Sequence, residues 1–343
     1  MRSHVRTAVV LALVAALLGV FLRNVDLARV GKDIVEARPA WLALSLVTMF
    51  MNLAIRALRW RFLLEPLGDA GFGNAFRATA VGFAASSLLP ARAGELVRPY
   101  FLARHEGMST SGAFATIILE RLLDLLTVLV LLAVFVFFFP GQALAHNPGL
   151  FAAVKWAGAA AGVGSLVGLV VLFVVAGDPS RLGQAMRRLE RALPSAWVGT
   201  IARVVEKFAE GLGIVRRPAR LLVALAWSFP LWLVIDAGIW AAARAFDLDV
   251  PFTGSFLIVP ILTLGVAVPT PGAIGGFHEA FRLGATLFYG APNDSAVAAA
   301  LVLHALSIGP TLVLGLFFAA RVGLNVGGMR RMADGAQQRR ANV

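Results

Sequence analysis

The sequence predicts an all-α integral membrane protein: a polytopic helical bundle of about six full spans plus two re-entrant broken helices, arranged as an inverted repeat. Three observations lead there. Of 343 residues, 59% are hydrophobic and only 15% are charged, whereas soluble domains carry about 25% charged residues. Apolar stretches long enough to cross a bilayer, about 20 residues each, recur along the chain. Two further apolar stretches run instead into dense proline and glycine.

The full spans fall at 5–22, 39–58, 113–139, 154–176, 220–245 and 295–320. Arg2 and Arg6 give the first the look of a signal peptide. No small-x-small cleavage site precedes Arg23, so a retained first helix is expected. Stretch 76–89 carries Arg77 and runs into Pro90-Ala91-Arg92-Ala93-Gly94-Glu95. Stretch 252–268 contains Pro260 and runs into Pro269-Thr270-Pro271-Gly272-Ala273-Ile274-Gly275-Gly276. Proline and glycine at this density end helices. Inside a bilayer, the backbone groups so freed need protein or a wet cavity around them.

Charge sets the topology. A net charge of +12 would suggest nucleic acid for a soluble protein. Here the basic residues gather in loops and tails, where cytoplasmic placement and anionic headgroups explain them, so no nucleic-acid partner is expected. Arg181, Arg187, Arg188 and Arg191 lie in the connector 178–220, and Arg321, Arg330, Arg331, Arg339 and Arg340 in the tail 321–343. Both segments and the N-terminus are placed in the cytoplasm. The spans then alternate only if the first broken element enters from the cytoplasmic side and the second from outside. One transmembrane domain over 5–320 results, with a first triplet 39–139 and a second, oppositely oriented triplet 220–320. Within the connector, Ile201, Val204, Val205, Phe208, Leu212 and Val215 recur at helical spacing. That pattern fits either an amphipathic helix on the membrane face or a connector packed on the bundle.

A charge near a helix centre costs about 2.5–3.5 kcal/mol to insert, so each one needs a reason. Arg92, Glu95 and Arg98 surround the first break. Glu120, Arg121 and Asp124 follow in the next span, Glu120 and Asp124 on one face and Arg121 within reach of Asp124. Gly275, His278, Glu279 and Arg282 belong to the second break, while Asp236 and His304 stand singly. One reading makes these charges ion pairs that lock the triplets together. In the other, half-helices starting after Pro90 and Pro271 turn their N-terminal amides toward an anionic group. Arg92, Arg98 and Arg282 would add planar guanidinium forks suited to phosphate. Glu95 and Glu279 would alternatively cap those helix starts. His304 reads as a hydrogen-bonded interior histidine or as a ligand.

The chain has no cysteine, which removes disulfides, thiolate chemistry and cysteine metal sites. No catalytic residue, cofactor or metal is expected, and no Walker A sequence is present. Asp247-Leu248-Asp249 is the acidic pair an enzyme would use for a metal; the plainer reading is a polar turn.

The stretch Leu88-Leu89-Pro90-Ala91-Arg92-Ala93-Gly94-Glu95-Leu96-Val97-Arg98, followed by Glu120-Arg121-Leu122-Leu123-Asp124, resembles the membrane region of lysylphosphatidylglycerol synthase. It equally resembles the stand-alone flippase-like membrane proteins that share that region. Pro269-Thr270-Pro271-Gly272-Ala273-Ile274-Gly275-Gly276-Phe277-His278-Glu279 is similar to the family's second signature, Pro-Gly-Gly-x-Gly with a nearby Glu. The resemblance covers about 5–320. Two departures stand out: His278 separates Phe277 from Glu279, where the family commonly reads Phe-Glu, and His304 falls where many members have arginine. No aminoacyl-transferase domain follows residue 320, so the resemblance implies the flippase-like half alone.

It implies a lipid flippase or translocase of the bacterial cytoplasmic membrane that takes an anionic or zwitterionic headgroup, with an envelope-lipid synthase as a further partner. The substrate-binding set is Arg92, Glu95, Arg98, Glu120, Arg121, Asp124, Gly275, Glu279, Arg282 and His304. The alternatives are a membrane-embedded glycosyl- or acyltransferase acting on a lipid carrier, and a scaffold for an envelope-lipid synthase. Because native cysteine is absent, one cysteine at Ala91 tests the topology directly. An impermeant maleimide is expected to label it from the cytoplasmic side; labelling from outside only overturns the re-entrant scheme.

Overall fold

Within a bilayer the chain must satisfy its own backbone hydrogen bonds, which leaves the helix as the local solution for an apolar, strand-poor sequence. The computed structural model describes residues 2–89, 94–177, 204, 206–268, 270–324 and 327–328, with no strand among them. The helices are α1 (Arg2–Phe21), α2 (Leu27–Glu36), α3 (Pro39–Leu64), α4 (Phe72–Leu88), α5 (Gly94–Glu106) and α6 (Thr110–Phe138). They continue as α7 (Gly141–His146), α8 (Pro148–Gly177), α9 (Pro218–Ala245), α10 (Ser255–Ala267), α11 (Gly276–Tyr289) and α12 (Asn293–Arg321).

Among the described residues five helices, α3, α6, α8, α9 and α12, are long and apolar enough to cross a membrane. The protein is a polytopic helical membrane protein. The remaining expected span, 5–22, corresponds to α1, whose side chains are described from Ala12 onward. Local sequence explains the helix starts. Pro39 and Pro218 occupy first-turn positions that need no donor. Asp26 caps α2 by accepting from the Ala28 and Arg29 amides at 2.9 and 3.2 Å, and Ser109 caps α6 through the Gly112 amide at 3.3 Å. Pro260, expected to interrupt its stretch, lies inside a continuous α10.

Both broken elements fold as pairs of short helices, α4 along α5 and α10 along α11. Each pair closes on two facing glycines. A Cβ on Gly94 would overlap Gly82 O, and one on Gly82 would stand 2.7 Å from Arg98 Cβ. Gly265 and Gly276 face each other in the same way, backbone against backbone. At the second break the chain turns through Gly272 (φ 60°) and Gly275 (φ 88°), a left-handed region that residues with a Cβ rarely adopt.

Helix contacts interlock the two halves. The most extensive described pair is α3 with α9. α4 packs on α12 and α10 on α6, so the first helix of each pair reaches the last helix of the other triplet. The second helix of each pair, α5 or α11, packs on the last helix of its own triplet. Two hydrophobic cores result. One holds parts of α3, α4, α5 and the first half of α6, around Trp60, Leu102 and Leu119. The other holds the second half of α6, α10, α11 and the first half of α12, around Phe135, Phe281 and Leu303.

Most of the connector 178–220 lies outside the described residues, including Ile201 and Val205 of its periodic stretch. The part described packs on the bundle: Leu212, Ile214 and Val215 are buried in the core of the first triplet, and Gly211 lies against the Gly112 backbone. Overpacking in a closed core costs about 1–3 kcal/mol. Gly94→Ala and Gly276→Ala are therefore expected to lower the thermal unfolding midpoint in detergent. Gly162→Ala, which meets nothing within 4 Å, should leave that midpoint unchanged or slightly raised.

Candidate functional site

A charge deep in a helical bundle stays there only if opposite charges and hydrogen bonds surround it, so buried ions mark where polar chemistry gathers. α3 runs past residue 58, where its span was expected to stop, to Leu64. The extension buries Arg59, which has no exposure at all, and Arg56, inside the expected span, is buried as well. Arg98 from α5 and Glu120 and Asp124 from α6 are buried with them, and Arg121 is half-buried beside them.

Glu120 Oε1 accepts from Arg98 Nη1 at 2.8 Å, Arg56 Nη1 at 3.1 Å and Arg121 Nη2 at 3.1 Å. Asp124 Oδ1 accepts from Arg59 Nη1 at 2.6 Å and from Trp232 Nε1 of α9 at 3.1 Å, while its Oδ2 accepts from Arg56 Nη1 at 3.2 Å. Arg59 Nη1 also reaches Ser228 Oγ of α9 at 2.7 Å. The Arg98 guanidinium lies 4.0 Å from the centre of the Trp60 ring, and Trp60 Nε1 is fixed by Thr116 Oγ1 at 3.0 Å. Four helices are tied together by one charged network. Gly82 matters here too, since its missing side chain is what lets Arg98 come close to α4.

Four guanidiniums face two buried carboxylates, and Glu95 supplies a third, half-exposed one 3.9 Å from Arg121 Nε. The cluster is thus net positive. Several of its polar atoms lack a hydrogen-bond partner: Arg56 Nε, Arg98 Nε, Arg98 Nη2 and Glu120 Oε2 among them. Arg56, Glu95, Arg98, Arg121 and Asp124 line a cavity of about 550 Å³, together with Asn52, Ser86 and Ser87. Thr270, Gly272, Ala273 and Phe277 of the second break also line it, with Ser307 and Thr311 of α12. The remaining wall is largely apolar, with Leu53, Phe83, Leu125, Ile239, Val259 and Leu262.

Of the residues singled out from sequence, Glu95, Arg98, Glu120, Arg121 and Asp124 are brought together, and the shared face of Glu120 and Asp124 is as the spacing implies. Arg92 lies outside the described residues. The second break departs from expectation. Arg282 bonds Glu279 twice, Nε to Oε2 at 2.8 Å and Nη2 to Oε1 at 2.5 Å, and its Nη1 donates to Asn293 Oδ1 at 2.8 Å. These contacts tie α11 to the start of α12, and neither residue lines the cavity. Glu279 does not cap α11: His278 Nδ1 accepts the Gly275 amide at 3.2 Å instead. Gly275 packs closely on Leu17 of α1. His304 Nε2 bonds Gly272 O at 2.7 Å and so braces the turn whose far side faces the cavity.

Sequence reading missed Arg56, Arg59, Trp60, Ser228 and Trp232. Their signal was present in the Arg56-x-x-Arg59-Trp60 spacing, which places both arginines on one helical face. Asp247 and Asp249, the candidate metal pair, contact Arg38 Nη2 at 2.5 Å and Gln142 Nε2 at 3.5 Å respectively.

Comparison with known proteins places the chain in a family. Curated relatives include the glycosyltransferase AglD of Haloferax volcanii, 28% identical over 367 aligned positions that cover 97% of this chain and 57% of that protein. A UPF0104 membrane protein of Methanothermobacter thermautotrophicus is 25% identical over 266 positions, 70% of this chain and 73% of that one. Another, from Methanocaldococcus jannaschii, is 28% identical over 117 positions, 33% of each chain. The chain therefore spans little more than half the length of the glycosyltransferase it resembles. Residues 7–315 match the family described as lysylphosphatidylglycerol synthase TM region, and the chain belongs to that family.

Proposed function

We propose that this protein is a lipid translocase of the flippase class, moving a lipid with an anionic or zwitterionic headgroup across the cytoplasmic membrane. One observation carries the reading: a largely apolar cavity has a buried, net-positive guanidinium cluster set into its wall. Apolar lining suits acyl or prenyl chains. The unpaired donors of Arg98 and Arg56 suit the oxygens of a phosphate-bearing headgroup, to which charge-assisted bonds are strong. The two glycine-closed helix pairs, read as re-entrant from opposite faces, give an inverted repeat that can open the cavity alternately to each side.

On this reading the cluster divides its labour. Arg59 and Glu120 hold the frame, since neither lines the cavity and Arg59 is bonded to Asp124 and Ser228. Arg98, Arg121 and Glu95 line the cavity and meet the headgroup. A second reading is favoured by the relative named as a glycosyltransferase: this domain would hold a lipid carrier for sugar transfer. An envelope-lipid synthase as partner is compatible with either.

Headgroup-labelled lipids in proteoliposomes test the proposal. Wild type is expected to equilibrate at least one lipid class between leaflets. Arg98→Ala should slow it by about tenfold or more, because a hydrogen bond to a charged group is worth roughly 1.5–3 kcal/mol. If wild type moves no lipid across a broad panel, the translocase reading fails; sugar transfer from a nucleotide-sugar donor to a polyprenyl phosphate would establish the second. Arg59→Ala is expected to destabilise the fold by about 3–5 kcal/mol, since it leaves buried carboxylates uncompensated. Arg121→Ala should cost far less stability while still slowing lipid movement; the unfolding midpoint in detergent separates the two.

A further inference from the structure

The second triplet contains a buried acid that the charged network does not use. Asp236 lies in the middle of α9 with no exposure, and neither carboxylate oxygen has a hydrogen bond in its present geometry. Its position is not arbitrary. Ile55-Arg56-Ala57-x-x-Trp60 in α3 matches Ile235-Asp236-Ala237-x-x-Trp240 in α9, and α3 and α9 are the most extensively packed helix pair described. Arg56 and Asp236 therefore hold corresponding places in the two triplets. Arg56 is neutralised by Glu120 and Asp124; Asp236 is neutralised by no described side chain.

The groups around α9 explain why. Arg59 and Asp124 are bonded to Ser228 and Trp232, two turns and one turn before Asp236. Arg56 and Glu120 belong to that same network. Arg38 engages Asp247 beyond the C-terminal end of α9. From α3, Thr48 meets Gly238, which lies two residues on and so on the opposite face of the helix. From α12, His304 bonds Gly272 O. On the α10 side, Ser255 is the neighbour of Asp236, and Tyr289 of α11, its hydroxyl buried and unpaired, abuts Gly254. Ser255 Oγ gives its one proton to Phe252 O at 2.6 Å. An ionised carboxylate without a counter-charge is strongly disfavoured in so buried a place. A carboxylic acid can instead donate to Ser255 Oγ.

We infer that Asp236 is a proton-binding site, and that its proton couples to lipid movement in the translocase reading on which this second clause rests. Ile235 and Ile239, on either side of Asp236 in the chain, line the cavity, and Trp232 one turn earlier holds Asp124. Loss of the proton leaves a charge that only water or a cation from the cavity can solvate, which prises α9 from α10 beside the headgroup cluster. Lipid movement and proton release then share one helix interface.

Two measurements on the reconstituted full chain decide it. Infrared difference spectra across a pH jump are expected to show a carboxylic-acid C=O band that Asp236→Asn lacks and that Ser255→Ala shifts by removing the acceptor. A spectrum in which neither substitution alters any such band overturns the site, and Ser255→Ala alone decides if Asp236→Asn does not fold. For coupling, the ratio of lipid movement with and without a transmembrane pH gradient should exceed one in wild type and fall to one in Asp236→Asn. A response to a sodium gradient with none to pH, or an undiminished pH response in Asp236→Asn, overturns coupling through this residue. If wild type moves no lipid at all, the translocase reading and the coupling clause fall together, while the infrared band still decides the proton site.

Discussion

Arg59 has no contact with solvent, and its charge is tolerable there because Asp124 lies 2.6 Å away and Ser228 2.7 Å away. Those partners come from α6 and α9, so one buried cation fixes three helices relative to one another. Arg56 and Arg98 repeat the demand, and Glu120 answers both at 3.1 and 2.8 Å. Breaking any member would leave its partners charged and buried, which is far more unfavourable than replacing the whole set by apolar groups. The network is thus a constraint on arrangement more than a source of stability. It also explains the cavity: a region holding this many guanidiniums cannot collapse into a dry core.

The two helix pairs share a glycine closure but not their chemistry. Both helix pairs close through facing glycines, Gly82 with Gly94 and Gly265 with Gly276. Yet only the first pair turns an arginine toward the cavity; in the second, Arg282 is satisfied by Glu279 and Asn293, and its break is braced by His278 and His304. The charged lining of the cavity consequently comes from the first helix pair and α3 and α6, while the second break contributes threonine, glycine, alanine and phenylalanine.

How much of this was legible in the sequence depended on distance along the chain. Helical spacing was enough to put Glu120 and Asp124 on one face and to bring Arg121 to Asp124, because i, i+3 and i, i+4 neighbours are fixed by the helix itself. The broken helices announced themselves through proline and glycine. The facing glycines did not, since contact between residues a dozen apart depends on how the chain turns. Arg56 lay inside the span 39–58 and was overlooked there, whereas Arg59 fell just beyond its end, where an arginine ordinarily reads as an interfacial anchor. Only tertiary packing drew that end inward. Glu279 and Arg282 show the reverse error: residues next to a functional-looking break found each other first.

The order of the chain adds a consequence for biosynthesis. α3 emerges from the ribosome carrying Arg56 and Arg59, well before Glu120 and Asp124 of α6 exist to receive them, and before Ser228 and Trp232 of α9. Released alone into lipid, each arginine would lack the carboxylates that later surround it and would have to reach for the interface. The favourable course is for α3 to wait in a protein-lined, hydrated part of the insertion machinery until α6 arrives. Membrane integration of the first triplet is then a cooperative event rather than a helix-by-helix one.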